Sequence, residues 1–250
     1  MDKAEKELNK KFLEIKKKGW IKSIQSGTSG IGITFEKLIG VANNDFEIPD
    51  YNGIEIKTKR RTSKSYITLF SATPDGPHFH EVERLRNEYG YPHSKSKEYK
   101  VLNNSVFANV KNKIGIDYYF QLKIDREQKK LFLAIFDKKR KIIEEEVFWY
   151  FETLEEKLYR KLRIMALIST DTKKIDNIEY FKYSEMKIYS LKDFNTFISL
   201  LEQGIIRISF KINVVLSGPK KGKIHDHGTS FEIQEQDLSK LYNIYEVWDF

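Results

Sequence analysis

Two carboxylates and one ammonium occur close together early in the chain, at a spacing that suits metal-dependent hydrolysis. In the predicted strand Ile54–Thr58 side chains alternate between faces, so Glu55 and Lys57 share one face. The turn at Asn52–Gly53 can bring the carboxylate of Asp50 beside that of Glu55. We therefore predict that Asp50 and Glu55 bind Mg²⁺, and that Lys57 interacts with a phosphate and an attacking water.

The Glu-x-Lys spacing alone is weak support, because the chain is 32% charged and contains the spacing elsewhere. The other copies are Glu14/Lys16, Glu98/Lys100, Glu155/Lys157 and Glu185/Lys187. Only the copy at Glu55 follows a Pro-Asp pair and an Asn-Gly turn and is flanked by β-branched residues. The alternative interpretation is a surface strand with a solvated ion pair.

The elements before this strand could position it. Residues 4–18 have the apolar spacing of an amphipathic helix. A glycine- and serine-rich loop at 25–32 matches no nucleotide-binding pattern. It is either a flexible turn or a loop whose backbone approaches a DNA phosphate closely. It leads into a predicted short helix, Thr34–Ile39, which carries Glu36 and is closed by Gly40.

Basic residues follow the strand directly. Arg60 and Arg61 lie where the phosphates of a scissile strand would be, and we predict that they bind DNA. A second strand is predicted at Tyr66–Phe70. His78 and His80 precede a predicted helix, and we interpret them as surface residues.

The middle of the chain predicts a mixture of strands and helices. Residues 92–113 are polar and are predicted to be irregular. One helix is predicted at Glu81–Tyr89, and a second extends from a capping box at Thr153 to Leu162. Strands are predicted at Asp117–Ile124, Leu131–Phe136, Ile164–Ile168 and Phe181–Tyr189.

The last part of the chain predicts an amphipathic helix at Ser190–Gln203 and then an alternating strand, Ile205–Leu216. Arg207, Ser209 and Lys211 share the polar face of that strand, and we predict that they contact DNA.

A loop is predicted at Ser217–Phe231. Its donors and acceptors suit base edges and phosphates, and the residues predicted to contact DNA are Lys220, Lys221, Lys223, His225, Asp226, His227 and Thr229. A zinc site is the competing use of the two histidines, although no third soft ligand is nearby in the sequence.

Composition limits the class of protein. The chain has 250 residues, a hydrophobic fraction of 40% and a formal net charge of +8, which favours a folded protein that binds polyanions, nucleic acid before membranes. No apolar run is long enough to span a membrane and no secretion signal is visible. Absence of cysteine excludes disulfides and fits a reducing, cytoplasmic location.

Several separated motifs together resemble one family. Their order is Gly-Ile-Gly-Ile-Thr-Phe-Glu36, Pro-Asp50, Ile-Glu55-Ile-Lys57-Thr, the strand end Phe136-Asp137-Lys138, and His225-Asp226-His227-Gly-Thr-Ser-Phe. This series is similar to the MvaI/BcnI type II restriction endonucleases, which are similar in turn to the mismatch-repair nicking endonuclease MutH.

The resemblance implies an α/β fold of the PD-(D/E)xK type, in which helices flank a central mixed sheet and a DNA-recognition lobe forms a cleft with it. We expect a catalytic lobe at 1–150 and a mainly DNA-recognition lobe at 151–250. By position, Asp50 and Glu55 would be the metal ligands, Lys57 would orient or help deprotonate the attacking water, and Glu36 would support the metal site. The segment His225–Thr229 would contact bases.

The resemblance also implies a substrate. Relatives act as monomers on double-stranded DNA at short GC-rich sites, cut one strand at a time, and have a companion DNA methyltransferase. This chain has Ser209 and Lys211 where one relative has Asp and Arg, and Val215 replaces an aromatic residue, so its recognised sequence is open. The alternative functions are a MutH-like repair nicking enzyme and a DNA-binding protein with a silent nuclease site.

Overall fold

A computed structural model describes residues 2–41 and 48–245 of the chain. In chain order, the helices are α1 Lys3–Lys17, α2 Gly30–Ile39, α3 Glu81–Tyr89, α4 Phe151–Leu162, α5 Phe194–Glu202 and α6 Leu238–Leu241. The strands are β1 Ile21–Lys22, β2 Ile54–Arg60, β3 Ile67–Ser71, β4 Tyr91–His93, β5 Ser96–Val106, β6 Asn112–Ile114, β7 Tyr118–Asp125, β8 Lys130–Asp137, β9 Ile142–Tyr150, β10 Ile164–Ile175, β11 Ile178–Leu191, β12 Arg207–Val214, β13 Ile224–Ile233 and β14 Tyr242–Tyr245. A 3₁₀ turn at Glu235–Asp237 precedes α6.

The chain divides into two compact units, each assembled from separated stretches. The first unit contains residues 1–65, 157–192 and 239–250, and the second contains residues 66–156 and 193–238. The predicted division at residue 150 does not coincide with this boundary, because β10 returns to pair with β2 and so brings the chain back to the first unit.

The first unit is built on a mixed sheet, as predicted. Its strands have the order β1-β11-β10-β2, and β14 also pairs with β11. β10 runs parallel to β2, with Met165 opposite Glu55 and Leu167 opposite Lys57, whereas the other pairs are antiparallel. Parallel pairing requires a crossover connection, and α4 is the helix that leads directly into β10.

One face of this sheet is covered by α1 and α2. The buried side chains of α1 and α2 pack with those of the sheet, and the cluster includes Leu8, Phe12, Phe35, Ile54, Ile56, Ala166, Ile168 and Phe181. Because Ile54 and Ile56 point into this core, the alternation of β2 places Glu55 and Lys57 on the other face. Helix α1 has a capping box formed by Asp2 and Glu5, and its bounds, Lys3–Lys17, lie within one residue of the predicted 4–18.

The second unit contains two further sheets. One has the strand order β3-β13-β12-β5-β4, and the other is the antiparallel series β6-β7-β8-β9. The stacked rings of Phe70 and Phe231 and the nearby rings of Phe197 and Trp149 form part of the core. The predicted helix Glu81–Tyr89 has the predicted bounds.

Two segments differ from the sequence prediction because their backbones are paired by distant strands. Residues 92–113 include β5, an 11-residue strand whose buried residues are Val101, Leu102 and Val106. The predicted loop Ser217–Phe231 is a loop only in its first part, since β13 begins at Ile224 and pairs with both β12 and β3. Polar strands of this kind lack the apolar alternation on which the prediction depended.

Helices α4 and α5 begin at residues other than those predicted. Helix α4 begins at Phe151 instead of after a capping box at Thr153, because Asp75 supplies the acceptors: its carboxylate accepts from the backbone N–H of Tyr150 at 2.8 Å and from the hydroxyl of Thr153 at 3.2 Å. Helix α5 begins after Asp193, whose side chain accepts from the N–H of Thr196, so Ser190 belongs to β11.

In the described part of the chain, no helix is both long enough and apolar enough to cross a membrane.

Candidate active site

A tight turn delivers the chain into β2. Asn52 and Gly53 both have positive φ, 44° and 87°, and the backbones of Tyr51 and Ile54 exchange hydrogen bonds of 3.0 and 2.8 Å across them. Two consecutive left-handed residues are the requirement of a two-residue hairpin turn, and Asn-Gly meets it with little strain. The predicted bend before the strand is therefore present.

This turn brings Asp50 back onto the strand. The Oδ2 atom of Asp50 accepts a hydrogen bond of 2.8 Å from the backbone N–H of Ile56, the residue between Glu55 and Lys57. The carboxylate is half-buried and its orientation is fixed by the strand itself.

Glu55 is a buried carboxylate with one engaged oxygen. The residue is 1% exposed, and its Oε1 accepts from the Nζ of Lys57 at 2.6 Å. Its Oε2 is buried and has no hydrogen-bond partner among the described residues. Burial raises the pKa of Glu55, the ammonium of Lys57 opposes that shift, and the charge of Asp50 adds to it. A buried carboxylate oxygen without a donor is costly, and costly groups of this kind are typical of functional sites.

The same spacing on β11 provides an internal comparison. There Lys187 lies 3.1 Å from Glu185, but the two side chains are 41% and 45% exposed, against 24% and 2% for Lys57 and Glu55. The Glu185 pair is thus the solvated surface ion pair that the sequence offered as the alternative, whereas Glu55 is buried.

Glu36 joins this cluster from α2, which begins at Gly30, four residues earlier than predicted. A Cβ on Gly30 would lie 2.4 Å from the carbonyl oxygen of Gln25, so this close approach requires glycine. Burial raises the pKa of Glu36 and the charge of Asp50 raises it further, while Lys57 lowers it. Glu36, Asp50, Glu55 and Lys57 are therefore close enough to interact electrostatically.

Two residues at this site were not identified from the sequence. Lys161, in the last turn of α4, places its Nζ 3.5 Å from Oε1 of Glu55. The hydroxyl of Tyr242 is fully buried without a hydrogen-bond partner among the described residues, and burial raises its pKa, with a further contribution from the charge of Glu55. Neither residue has a local signature, because both reach Glu55 through pairing of β10 and β14 with distant strands.

The donor set suits a hard divalent cation. Carboxylate oxygens are the preferred protein ligands of Mg²⁺, which usually keeps several waters and takes only one or two carboxylates from the protein. Asp50 and Glu55 supply two carboxylates, and the bare Oε2 of Glu55 is an acceptor without a proton donor. Within residues 2–41 and 48–245, no cluster of three or more histidine, cysteine or acidic side chains is arranged as a metal site. Among the described residues, His225 and His227 are likewise not joined by a third potential ligand.

The arginines at the end of β2, Arg60 and Arg61, form ion pairs within the first unit. Arg60 lies 2.7 Å from Glu179, and Arg61 lies 3.0 Å from Asp171. Arg61 is the more exposed of the two, with 56% of its side chain accessible.

The polar face of β12 carries an ion-pair network in the second unit. Arg207 donates to Oε2 of Glu232 through Nε at 3.0 Å and Nη2 at 2.8 Å, and Lys211 lies 2.6 Å from Oε1 of the same carboxylate. Ser209 lies between them and is 7% exposed.

The start of β13 is exposed and polar. His225 and His227 point to the same side, with ring centroids 4.0 Å apart, and Asp226 accepts from the N–H of Gly228 at 2.7 Å. The lysines at 220, 221 and 223 are exposed in the connection before β13, while Thr229 is fully buried. His78 and His80 are also exposed, in agreement with their interpretation as surface residues.

Comparison with known proteins agrees with this architecture. A model of the MvaI/BcnI restriction endonuclease family matches residues 9–242. Among solved structures, the complex of restriction endonuclease MvaI with its cognate DNA is 31% identical, with a TM-score of 0.91, and the alignment covers 99% of this chain and 100% of the other. The structure of MvaI without DNA is 31% identical with a TM-score of 0.64, covering 99% of each chain. The search of curated proteins gave no significant match.

Proposed function

Because this chain belongs to the MvaI/BcnI restriction endonuclease family and is a type II site-specific endonuclease, we propose that it hydrolyses double-stranded DNA in a Mg²⁺-dependent reaction. The site is a short GC-rich pseudopalindrome, and a monomer nicks each strand in turn. The observation that carries this proposal is the buried carboxylate of Glu55, paired with Lys57 and electrostatically coupled to Asp50.

The family implies dependence on a divalent metal, and the side chains fit Mg²⁺. Asp50 and Glu55 are the residues that hold it. When bound, the cation neutralises charge that develops at the scissile phosphate and lowers the pKa of a bound water. The raised pKa of Glu55 supports this assignment, because a buried carboxylate that is costly to ionise gains most from a neighbouring cation.

The other residues of the site act on charge and orientation. The hydrogen bond from Ile56 holds Asp50 at a fixed angle to the strand, so no reorganisation of this carboxylate is needed during the reaction. Lys57 places a fixed positive charge beside Glu55, where it can orient the attacking water or stabilise the transition state. Glu36 adds negative charge next to Asp50, which strengthens the attraction for a cation.

Base recognition is assigned to the second unit. MvaI, whose structure is known with cognate DNA, is similar over its whole length to this chain, and this supports double-stranded DNA as the substrate. The exposed side chains of His225, Asp226 and His227 supply donors and acceptors for base edges. The exposed lysines at 220, 221 and 223 supply phosphate contacts, and the basic pI near 9.2 favours this partner.

A nuclease of this kind threatens the DNA of its own cell. We therefore propose that a companion methyltransferase modifies the same sequence. It acts on the DNA and does not bind this protein. The net charge of +8 is consistent with a soluble monomer that associates with DNA through electrostatic attraction.

Incubation of supercoiled, unmethylated plasmid with the purified protein tests the proposal. With Mg²⁺ we expect an open-circular intermediate followed by discrete linear fragments, and with EDTA we expect neither. Open circles that never become linear would favour a repair-type nicking enzyme. Undamaged supercoiled plasmid in Mg²⁺, with DNA binding retained, would overturn the proposal in favour of a silent binding protein.

A further inference from the structure

Glu232 is a buried acidic residue on a strand face that otherwise suits DNA. Its side chain is 5% exposed, and both of its oxygens are engaged: Oε2 by Arg207 and Oε1 by Lys211. The carboxylate is buried and its two cations are partly exposed, and ion pairs that bury a charge are weak evidence for stability, since apolar replacements of similar volume are often as stable or more so. The network therefore needs a reason other than stability.

The two cations on Glu232 are held differently. The guanidinium of Arg207 also lies 3.4 Å from the ring centroid of Tyr66, so it is fixed both by the carboxylate and by the ring. Arg207 is 21% exposed at its side chain, compared with 35% for Lys211. Arg207 consequently immobilises Glu232, and Lys211 is the cation that a ligand can reach.

The ammonium of Lys211 is only partly satisfied. Its Nζ atom forms an ion pair of 2.6 Å with Oε1 of Glu232 and donates one hydrogen bond of 3.2 Å, to the Oγ of Ser230, out of the three N–H donors of an ammonium. One donor is left for an acceptor outside the protein. A lysine that is held in this way loses little side-chain entropy when it binds, which favours a specific contact.

We propose that Glu232 is a positioning residue for sequence recognition: it fixes the ammonium of Lys211 so that the remaining donor contacts guanine O6 or N7 in the major groove. The carboxylate also offsets one of the two positive charges on this face, so that the face binds a base edge in preference to a phosphate. This inference rests on the proposed function and deepens it.

Glu232→Gln tests the inference with minimal change of shape. Replacing one oxygen by an NH₂ group puts a donor against Arg207 or Lys211, so one cation is released. Cleavage is measured on the cognate site, found by sequencing fragment ends, and on a panel with each base pair replaced singly. We expect discrimination at one G·C pair to fall at least about fivefold, and non-specific binding to strengthen with a salt slope steeper by about 0.9.

A matched control has the same charge change elsewhere in this unit. Glu202 pairs with Arg126 at 2.7 Å, but both side chains are more than a third exposed, so Glu202→Gln should leave discrimination at every base pair unchanged.

A double-mutant cycle separates positioning from general support of the strand. Lys211→Gln should lose the same discrimination, and adding Glu232→Gln to it should cause no further loss.

The outcomes are distinct. If wild-type protein selects one sequence and Glu232→Gln selects it equally sharply, the inference is overturned and the proposed function stands. If the losses of the two single variants multiply in the double variant, Glu232 does not act through Lys211, and the inference is again overturned. If wild-type protein cuts without any preferred sequence, both the proposed function and the inference that rests on it are wrong.

Discussion

The carboxylate of Asp50 accepts a hydrogen bond of 2.8 Å from the backbone N–H of Ile56. This bond ties the turn before β2 to the strand at Ile56, the residue between Glu55 and Lys57. The carboxylates of Asp50 and Glu55 are therefore held in a fixed relation by the backbone. A substitution that keeps this acceptor tests the charge of Asp50 without disturbing the turn, and Asp50→Asn is such a change.

Glu55→Gln should stabilise the metal-free protein at neutral pH. The pKa of Glu55 is raised in the folded state, chiefly by burial. Folding therefore favours the protonated form of Glu55. Its contribution to the free energy of unfolding is complete below the pKa of the unfolded state and is lost as pH rises through the folded pKa. The thermal midpoint of Glu55→Gln should exceed that of wild type at pH 7, and the difference should shrink at acidic pH.

Glu185→Gln is the matched control for stability, because Glu185 has the same spacing to a lysine on a strand of the same sheet but is exposed. Its effect should be within about 0.5 kcal/mol of wild type. Added Mg²⁺ should raise the midpoint of wild type and of Glu185→Gln, but not of Glu55→Gln. A Glu55→Gln protein that is less stable than wild type at pH 7 would contradict the assignment of Glu55 as a strained functional carboxylate.

As the pH is lowered, activity should begin to fall at a higher pH than it would if the glutamates had their usual pKa. Burial raises the pKa values of Glu55 and Glu36 above their usual 4.5, and protonated Glu55 cannot bind a cation. The loss of kcat/KM therefore begins above that pH. Because protons and metal compete for the same oxygens, raising the Mg²⁺ concentration should move the midpoint to lower pH. A profile that is flat down to pH 4.5 would show that neither carboxylate has to be ionised.

Lys57→Met should lower kcat by roughly 100- to 1,000-fold, which corresponds to about 3–4 kcal/mol of lost electrostatic stabilisation. Lys161→Met should cause a smaller loss, since its ammonium lies 3.5 Å from Glu55 instead of 2.6 Å. Lys187→Met, the control on β11, should be as active as wild type. Single-turnover cleavage of a defined duplex measures all three, and equal effects of Lys57 and Lys187 would refute the role of Lys57.

His225→Ala should weaken discrimination between sites, by roughly 5- to 150-fold for a base contact worth about 1–3 kcal/mol. Lys221→Ala should weaken binding to all sequences alike and make its salt dependence shallower by about 0.9 in slope. Binding to cognate and scrambled duplexes over a range of salt concentrations separates the two effects. If His225→Ala behaved like Lys221→Ala, the histidine would contact phosphate and not a base.

The sequence predicted those parts of the site that depend on local patterns. Alternation along β2 separated Glu55 and Lys57 from Ile54 and Ile56, and Asn52–Gly53 predicted the turn. These features hold because a two-residue period and a left-handed turn need no information from distant residues.

The sequence did not predict the contributions made by distant strands. Lys161 reaches Glu55 because Ile164 starts a strand in register with Ile54, and nothing near Lys161 specifies that register. The network of Glu232 was missed for a similar reason, since the residue was predicted to follow a loop and instead lies opposite Arg207 on a paired strand. Burial of Thr229 follows from the same pairing.

We propose above all that the carboxylates of Asp50 and Glu55 bind Mg²⁺ and that the protein thereby cuts DNA at one sequence. The most direct measurement is digestion of unmethylated phage DNA by wild type and by Asp50→Asn, with sequencing of all fragment ends. For wild type we expect one short GC-rich sequence at every end. For Asp50→Asn we expect binding to the same sequence with cleavage reduced at least about 100-fold, through loss of several kcal/mol of charge stabilisation. Wild-type ends without a common sequence, or undiminished cleavage by Asp50→Asn, would contradict the claim.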